Sequence, residues 1–258
     1  MLKSPRPRHR LRRPSAASRR FAEQLRPLVQ AHDAVRQSEH ARVDVERGLA
    51  RVRAGRPAFD AGSLLDGAGD LTQAFRRTAA AFEGTGIATT PELTDLRRST
   101  LDPTKLVLGW ATGGSTPVDT TMRLARTVAG VVGNAVLSRA AQDITSSISF
   151  AAWKRTDCPC CGASPDLALT TPKRRTLVCW RCDTMWRTAH RGCLGCGANA
   201  PPDLARVHSS VLDYELAICN ACGRYIKERR GLPSHELLIE RAYTAGLDEA
   251  AQQRGLRA

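Results

Sequence analysis

Cys158-Pro159-Cys160-Cys161-Gly162, Cys179-Trp180-Arg181-Cys182-Asp183, Cys193-Leu194-Gly195-Cys196-Gly197 and Cys219-Asn220-Ala221-Cys222-Gly223 are four copies of one turn, and their reading decides the fold. Eight of the nine cysteines fall into four C-x-x-C pairs. At this cysteine frequency chance would give roughly 0.3 such pairs, so the array is a built feature. A tetrahedral metal ion takes four thiolates at about 2.3 Å. One C-x-x-C turn supplies two of them, and a second turn supplies the other two. Gly162, Gly197 and Gly223 each follow the second cysteine of a pair, where glycine tolerates the positive φ that turns backbone N–H groups toward sulfur. Asp183 holds that place in the remaining pair. Eight ligands make two sites. Sequential pairing joins Cys158/Cys161 to Cys179/Cys182 and Cys193/Cys196 to Cys219/Cys222, across 17 and 22 intervening residues, and it is the favoured arrangement. A crossed pairing also satisfies the count.

Other cysteine chemistries fit less well. Disulfides are disfavoured in a reducing compartment, and adjacent C-x-x-C closure makes a poor scaffold. A thioredoxin-like motif needs a βαβ context that the sequence does not offer. Iron–sulfur clusters use less regular ligand spacing. Two mononuclear sites remain, and sulfur-only ligation suits zinc and rubredoxin-type iron equally. With every position filled by thiolate the sites read as closed and structural. Such sites supply about 10–16 kcal/mol of folding free energy, which a segment of about 70 residues with few aromatics needs. Cys160, lodged inside the first pair, is left over. Thr176-Leu177-Val178 and Leu216-Ala217-Ile218 read as short strands between the turns.

No cysteine precedes position 158 in the 258 residues, and that shift in composition places a boundary near residue 153. Before it the pattern is helical. Leu71, Ala74, Phe75, Thr78, Ala79 and Phe82 form one apolar stripe, with Asp70 as cap and Gly84 as stop. Phe21, Leu25, Leu28 and Val29 begin an earlier stripe, continued by Val35, Val43, Leu49 and Val52, with a kink or late start at Pro27. Thr90-Pro91-Glu92 reads as a cap followed by proline at the first helical position. Leu124, Val128, Val131, Val132 and Ala135 mark a helix after Pro117, whose tail toward Ile148 and Trp153 docks on the metal region. Residues 55–69 and 113–117 read as loops. After Gly231, Ser234 is the candidate N-cap of a last helix with Glu236 in its first turn; Leu237, Leu238, Ala242, Leu247 and Ala250 face inward. The expected fold is α+β, mainly α: a basic disordered tail (1–20), a helical domain (21–152), a twin rubredoxin-like or zinc-ribbon metal domain (153–232) and a C-terminal helix (233–258) packed on it.

The chain has 39 Lys+Arg against 25 Asp+Glu, a net charge of +14. Lys3, Arg6, Arg8, Arg10, Arg12, Arg13, Arg19 and Arg20 fall in the first 20 residues with no acid, so much of the excess belongs to a proline-broken tail. No apolar run reaches the roughly 18 residues of a membrane span, so no membrane association is expected. Ser18-Arg19-Arg20-Phe21 lacks the apolar region that would make it an export signal. A cytoplasmic location follows as the expectation.

Cys158-Pro159-Cys160-Cys161-Gly162-Ala163-Ser164-Pro165, the Cys179–Trp186 and Cys193–Cys196 stretches, and Glu215 followed by Cys219-Asn220-Ala221-Cys222 and Tyr225-Ile226-Lys227 together resemble the formate dehydrogenase accessory protein family FdhE. Met185 and His190 depart from the family pattern. The resemblance implies a cytoplasmic, non-enzymatic assembly factor with two mononuclear metal ions, iron or zinc. Its partner would be the catalytic subunit of a molybdenum- or tungsten-dependent formate dehydrogenase. Trp186, Glu215, Tyr225 and Lys227 are the candidate partner-binding residues. The competing reading packs Trp153, Trp180 and Trp186 over the metal turns and pairs Glu215 with Lys227. The alternative function is a zinc-ribbon nucleic-acid-binding protein, with Arg174, Arg175, Arg181 and Arg187 beside Trp180 and Trp186 to hold phosphates and stack bases. Thiolate sites carry −2 each and offset part of that charge. His190 and His208 form no nucleophile–base set, so no catalytic residues are assigned.

Overall fold

In the computed structural model the described residues are 15–39, 41–113, 119–209 and 212–257. Most of the basic tail and the loop through Pro117 lie outside them. Eight helices come first: α1 (Ala16–Gln24), α2 (Arg26–Ser38), α3 (Val45–Arg53), α4 (Ala61–Asp66), α5 (Leu71–Ala80), α6 (Thr90–Arg98), α7 (Pro103–Thr112) and α8 (Thr120–Thr145). Six strands follow: β1 (Pro165–Thr170), β2 (Arg175–Cys179), β3 (Met185–Thr188), β4 (Leu204–His208), β5 (Tyr214–Cys219) and β6 (Tyr225–Arg230). Helix α9 (Leu237–Gln252) closes the chain.

Most of the helices begin on an oxygen side chain that takes an orphan backbone N–H of the first turn. Ser15, Asp44, Asp60, Asp70, Thr89, Asp102 and Asp119 all do this. The first helix starts at Ala16, inside the segment read as tail. The expected break at Pro27 is the junction of α1 and α2 at Leu25, with Pro27 early in α2. At α6 the cap is Thr89, one residue before the expected Thr90, because Thr89 and Glu92 form a reciprocal capping box. Residues 55–69, read as a loop, contain α4. Six residues, Gly62 among them, carry too short a period to reveal it.

Helix α8 is the axis of the helical half and touches α2, α3, α4, α5, α6 and α7. From Val131 to Ser138 every residue is buried, rather than one stripe, as in a helix stretch enclosed by others. Small residues let neighbours approach. A Cβ added at Gly133 would lie 2.4 Å from Trp110 Cζ3, and one at Gly130 would lie 3.0 Å from Trp110 Nε1. The two glycines thus make a slot for that indole, and Trp110 meets Trp180 edge-on at 5.1 Å.

The strands form one six-stranded sheet in the order β3-β2-β1-β6-β5-β4. Two antiparallel three-stranded units, β1–β3 and β4–β6, join through a parallel β1–β6 pair, with Leu167 opposite Lys227 and Leu169 opposite Arg229. The core does not divide at residue 153. Buried Cys158, Cys161, Cys179, Cys182, Leu177, Trp186 and Ile226 belong to the same apolar cluster as α8. Helix α9 packs on the other face, with Leu237 and Leu247 against Leu167, Leu169, Val178 and Tyr214. Its N-cap is Glu236 rather than Ser234. The Ser234 and His235 backbone N–H groups donate to Glu240 of the first turn instead.

Strand β6 buries charge on both faces. On the α9 side Lys227 pairs with Asp248 at 2.5 Å, and Arg229 lies 3.7 Å from Glu240. On the other side Glu228 accepts from Arg175 and Arg206. Each buried charge therefore has a partner, which is the condition for tolerating it.

Candidate metal centre

Each C-x-x-C turn is closed by the same two backbone bonds. The residue after the second cysteine donates to the carbonyl of the first: Gly162 to Cys158, Asp183 to Cys179, Gly197 to Cys193 and Gly223 to Cys219, at 3.0, 3.2, 3.1 and 2.8 Å. The N–H of each first cysteine is taken by the carbonyl five residues on, of Ala163, Thr184, Ala198 or Arg224. The closing residue sits at positive φ in all four turns, between 58° at Asp183 and 81° at Gly197. Asp183 is the non-glycine member because its side chain has other work, and Asp tolerates the left-handed region better than most residues. In three turns a backbone N–H also points at the first sulfur: Cys160 to Cys158, Arg181 to Cys179 and Gly195 to Cys193, at 3.3–3.4 Å.

The thiols gather sequentially. Cys158, Cys161, Cys179 and Cys182 form one group, and Cys193, Cys196, Cys219 and Cys222 form the other, with all sulfurs of a group within 4.8 Å of one another. The contacts across the turns are 3.6 Å (Cys158–Cys182), 3.4 Å (Cys161–Cys179) and 3.5 Å for both Cys193–Cys222 and Cys196–Cys219. All nine cysteines are free thiols. A tetrahedron with 2.3 Å metal–sulfur bonds has edges of about 3.8 Å. The donor set therefore fits a four-coordinate ion, and each group can hold one.

The thiols of a group shift in opposite directions: Cys158 and Cys193 fall below the usual thiol range, while burial and the neighbouring sulfurs raise Cys179, Cys182 and Cys219. Burial raises the Cys193 thiol, but the N–H groups of Cys196 and Gly195 and the sulfurs facing it bring it down to about 6. Cys160 is different. The adjacent Cys158 sulfur and burial push its thiol up, and it stands outside both groups of four.

The first group is locked to both neighbouring layers. Ala58 and Phe59, between α3 and α4, donate to the Pro159 and Cys160 carbonyls at 2.9 and 3.0 Å. From α8, Asn134 donates to the Arg181 carbonyl and to Asp183, while its Oδ1 is 2.9 Å from His32 Nε2 of α2. From α9, Arg241 donates to Asp166 at 2.8 Å, Asp183 at 2.6 Å and the Cys179 carbonyl at 2.8 Å. Nothing in the sequence marks Asn134 or Arg241 as special, since their partners are far along the chain.

The expected partner-binding residues are mostly interior. Trp186 is 2% exposed, so it cannot stack a base or anchor a partner from the surface. Glu215 pairs with Arg206 and His208 rather than with Lys227. Tyr225 and Lys227 both bond Asp248 of α9. They line a cleft of about 540 Å³ between α8, β1, β6 and α9, walled also by Trp110 and Trp180. Arg181 lies over the Trp180 ring at 5.1 Å. His190 Nε2 is 2.8 Å from the Cys193 carbonyl oxygen, and so it supports the third turn without ligating.

The sequence matches no family model and no curated protein. Among solved structures it superposes on the FdhE protein from Pseudomonas aeruginosa with a TM-score of 0.58, 18% identity, and coverage of 95% of this chain and 94% of that one. The chain has the FdhE fold. The likeness at this identity is one of architecture, and it spans helical half, sheet and last helix together. No helix among the described residues is long and apolar enough to cross a membrane.

Proposed function

We propose that this chain is a non-enzymatic accessory protein for the maturation of formate dehydrogenase. It would bind the catalytic subunit in the cytoplasm through a platform held by two tetrathiolate metal ions, iron or zinc. The observation that carries the reading is the coincidence of two things. The FdhE fold covers nearly the whole chain, and the eight thiols stand in two groups of four. Cys158, Cys161, Cys179 and Cys182 would hold one ion, and Cys193, Cys196, Cys219 and Cys222 the other. Bound metal supplies folding free energy and fixed geometry there, since four thiolates leave no position open for substrate. The chain's own residues do the rest. Asn134 and Arg241 clamp the first site between α8 and α9, and Tyr225 and Lys227 shape the adjoining cleft from beneath through Asp248.

The test is genetic and biochemical. A deletion strain should lose formate oxidation and regain it with the wild-type chain, and affinity-tagged protein should retain the formate dehydrogenase catalytic subunit. Undiminished formate oxidation together with failure to retain the subunit would overturn the reading.

A further inference from the structure

The two thiol groups face different surroundings. All four sulfurs of the first belong to buried residues, whereas Cys196 in the second is exposed and Cys222 is half-buried. The first group also lies beneath the strap at Ala58 and Phe59, and Pro57 packs against Gly162. Over the second group there is much less. The Arg224 side chain crosses the third turn, where a Cβ at Gly195 would lie 2.5 Å from its Cδ. The C-terminal segment clasps the fourth turn: the Arg257 N–H donates to the Gly223 carbonyl at 2.9 Å, its guanidinium donates to the Cys222 carbonyl at 3.1 Å, and Tyr225 N–H donates to the Arg257 carbonyl. Neither feature covers Cys196. The buried Cys219 sulfur stands 3.5 Å behind it.

We infer that the second group is an oxidant-addressed modification site: hydrogen peroxide reaches Cys196, links it to Cys219 and releases the second ion, while the first ion stays bound. The inference rests on the reading of both groups as metal sites. Thiolate sulfur that is accessible reacts first with peroxide. The Cys196 thiolate attacks one peroxide oxygen, the O–O bond breaks, and hydroxide leaves, giving a sulfenic acid. The Cys219 thiolate then attacks that sulfur and expels a second hydroxide. Each sulfur loses one electron overall, and the two peroxide oxygens gain them. Cys193 and Cys222 remain, too few to hold a tetrahedral ion. The released ion departs as a divalent cation. Closing a bond across 3.5 Å draws the third and fourth turns together, which should also loosen the clasp at Arg257.

The experiment uses the full chain loaded with zinc. Hydrogen peroxide is added at one equivalent for the thiol map, made by differential alkylation and peptide mass spectrometry, and in excess for the kinetics of zinc release, followed with a chromophoric chelator. One zinc should leave about tenfold faster than the other or more. The Cys196–Cys219 disulfide should appear, with Cys158, Cys161, Cys179 and Cys182 still reduced. In Ala58→Pro, which removes one strap hydrogen bond, the slow zinc should be released faster while the fast one is unchanged. Release of both ions at one rate, or a disulfide among the first four cysteines, overturns the inference while leaving the metal reading intact. Uptake of fewer than two zinc ions overturns both.

Discussion

Arg241→Met tests the clamp between α9 and the second cysteine turn. Methionine keeps the aliphatic stem and deletes the guanidinium, which donates to two carboxylates and one carbonyl. Removing one member of a buried pair costs about 3–5 kcal/mol, mostly because the partner charge is left unpaired. Here the side chains of Arg241, Asp166 and Asp183 are 19%, 16% and 21% exposed, so water recovers part of that loss. Asp183 also keeps the Asn134 donor. The expected cost is therefore about 2–3 kcal/mol, or a Tm lower by roughly 5–10 °C for a chain of this size. Metal content should stay at two, because Arg241 meets the Cys179 carbonyl and not a sulfur. Urea unfolding of the metal-loaded protein, with metal quantified on the same sample, measures both. In a double-mutant cycle with Asp183→Gly the pair should show coupling of about 1–2 kcal/mol. A loss below about 1 kcal/mol, or strict additivity with Asp183→Gly, would refute the argument that this ion pair bears on the joint.

Further outcomes follow from the same geometry. Gly133→Ala places a Cβ within 2.4 Å of Trp110 and should destabilise by about 1–3 kcal/mol, with a shifted tryptophan emission; Gly130→Ala should do less. Cys158→Ser should remove one metal ion and lower Tm more than Cys196→Ser, since the first group shares the core of the helical half; Cys160→Ser should leave metal content at two. The Ser63 backbone N–H holds the Asp60 carboxyl below its usual 3.8. A depressed folded value means that this cap stabilises above about pH 4 and is lost as pH falls through the folded value. Asp60→Asn keeps the cap, so the difference in Tm between pH 7 and pH 3 should shrink. Acid titration with a metal-sensitive dye should show metal release as pH falls, because protons compete for thiolate.

What the sequence disclosed was local. Four repeated turns, their glycines and the Asp70 cap are signals complete within a few residues. The pairing of the turns could be narrowed by spacing, and the sequential grouping is the one the chain adopts. The parallel β1–β6 seam was not legible, because parallel pairing joins segments about 60 residues apart without a shared turn. Helices α4 and α7 were too short, or too evenly apolar, to show a period. Ser234 resembles a cap, yet Glu240 reaches back to take the free N–H groups. Lys227, Glu228 and Arg229 look like a solvated run, and only α9, Arg175 and Arg206 reveal them as interior. Sequence gives a charge its sign but not its depth. For the same reason the burial of Tyr225, Lys227 and Trp186 could not be read from the sequence.

The alternating ionic residues of β6 also fix how the strand sits between α9 on one face and Arg175 of β2 and Arg206 of β4 on the other. In an all-aliphatic strand a slip of two positions would exchange one methyl contact for another at little cost. Here the same slip would bring Lys227 toward the place of Arg229 and leave Asp248 facing no cation, while the reverse error would strand Glu240. The central strand thus works like a toothed key, admitting a single frame of alignment against α9, while Glu228 of the same strand ties together β2 and β4, one from each three-stranded unit, through Arg175 and Arg206.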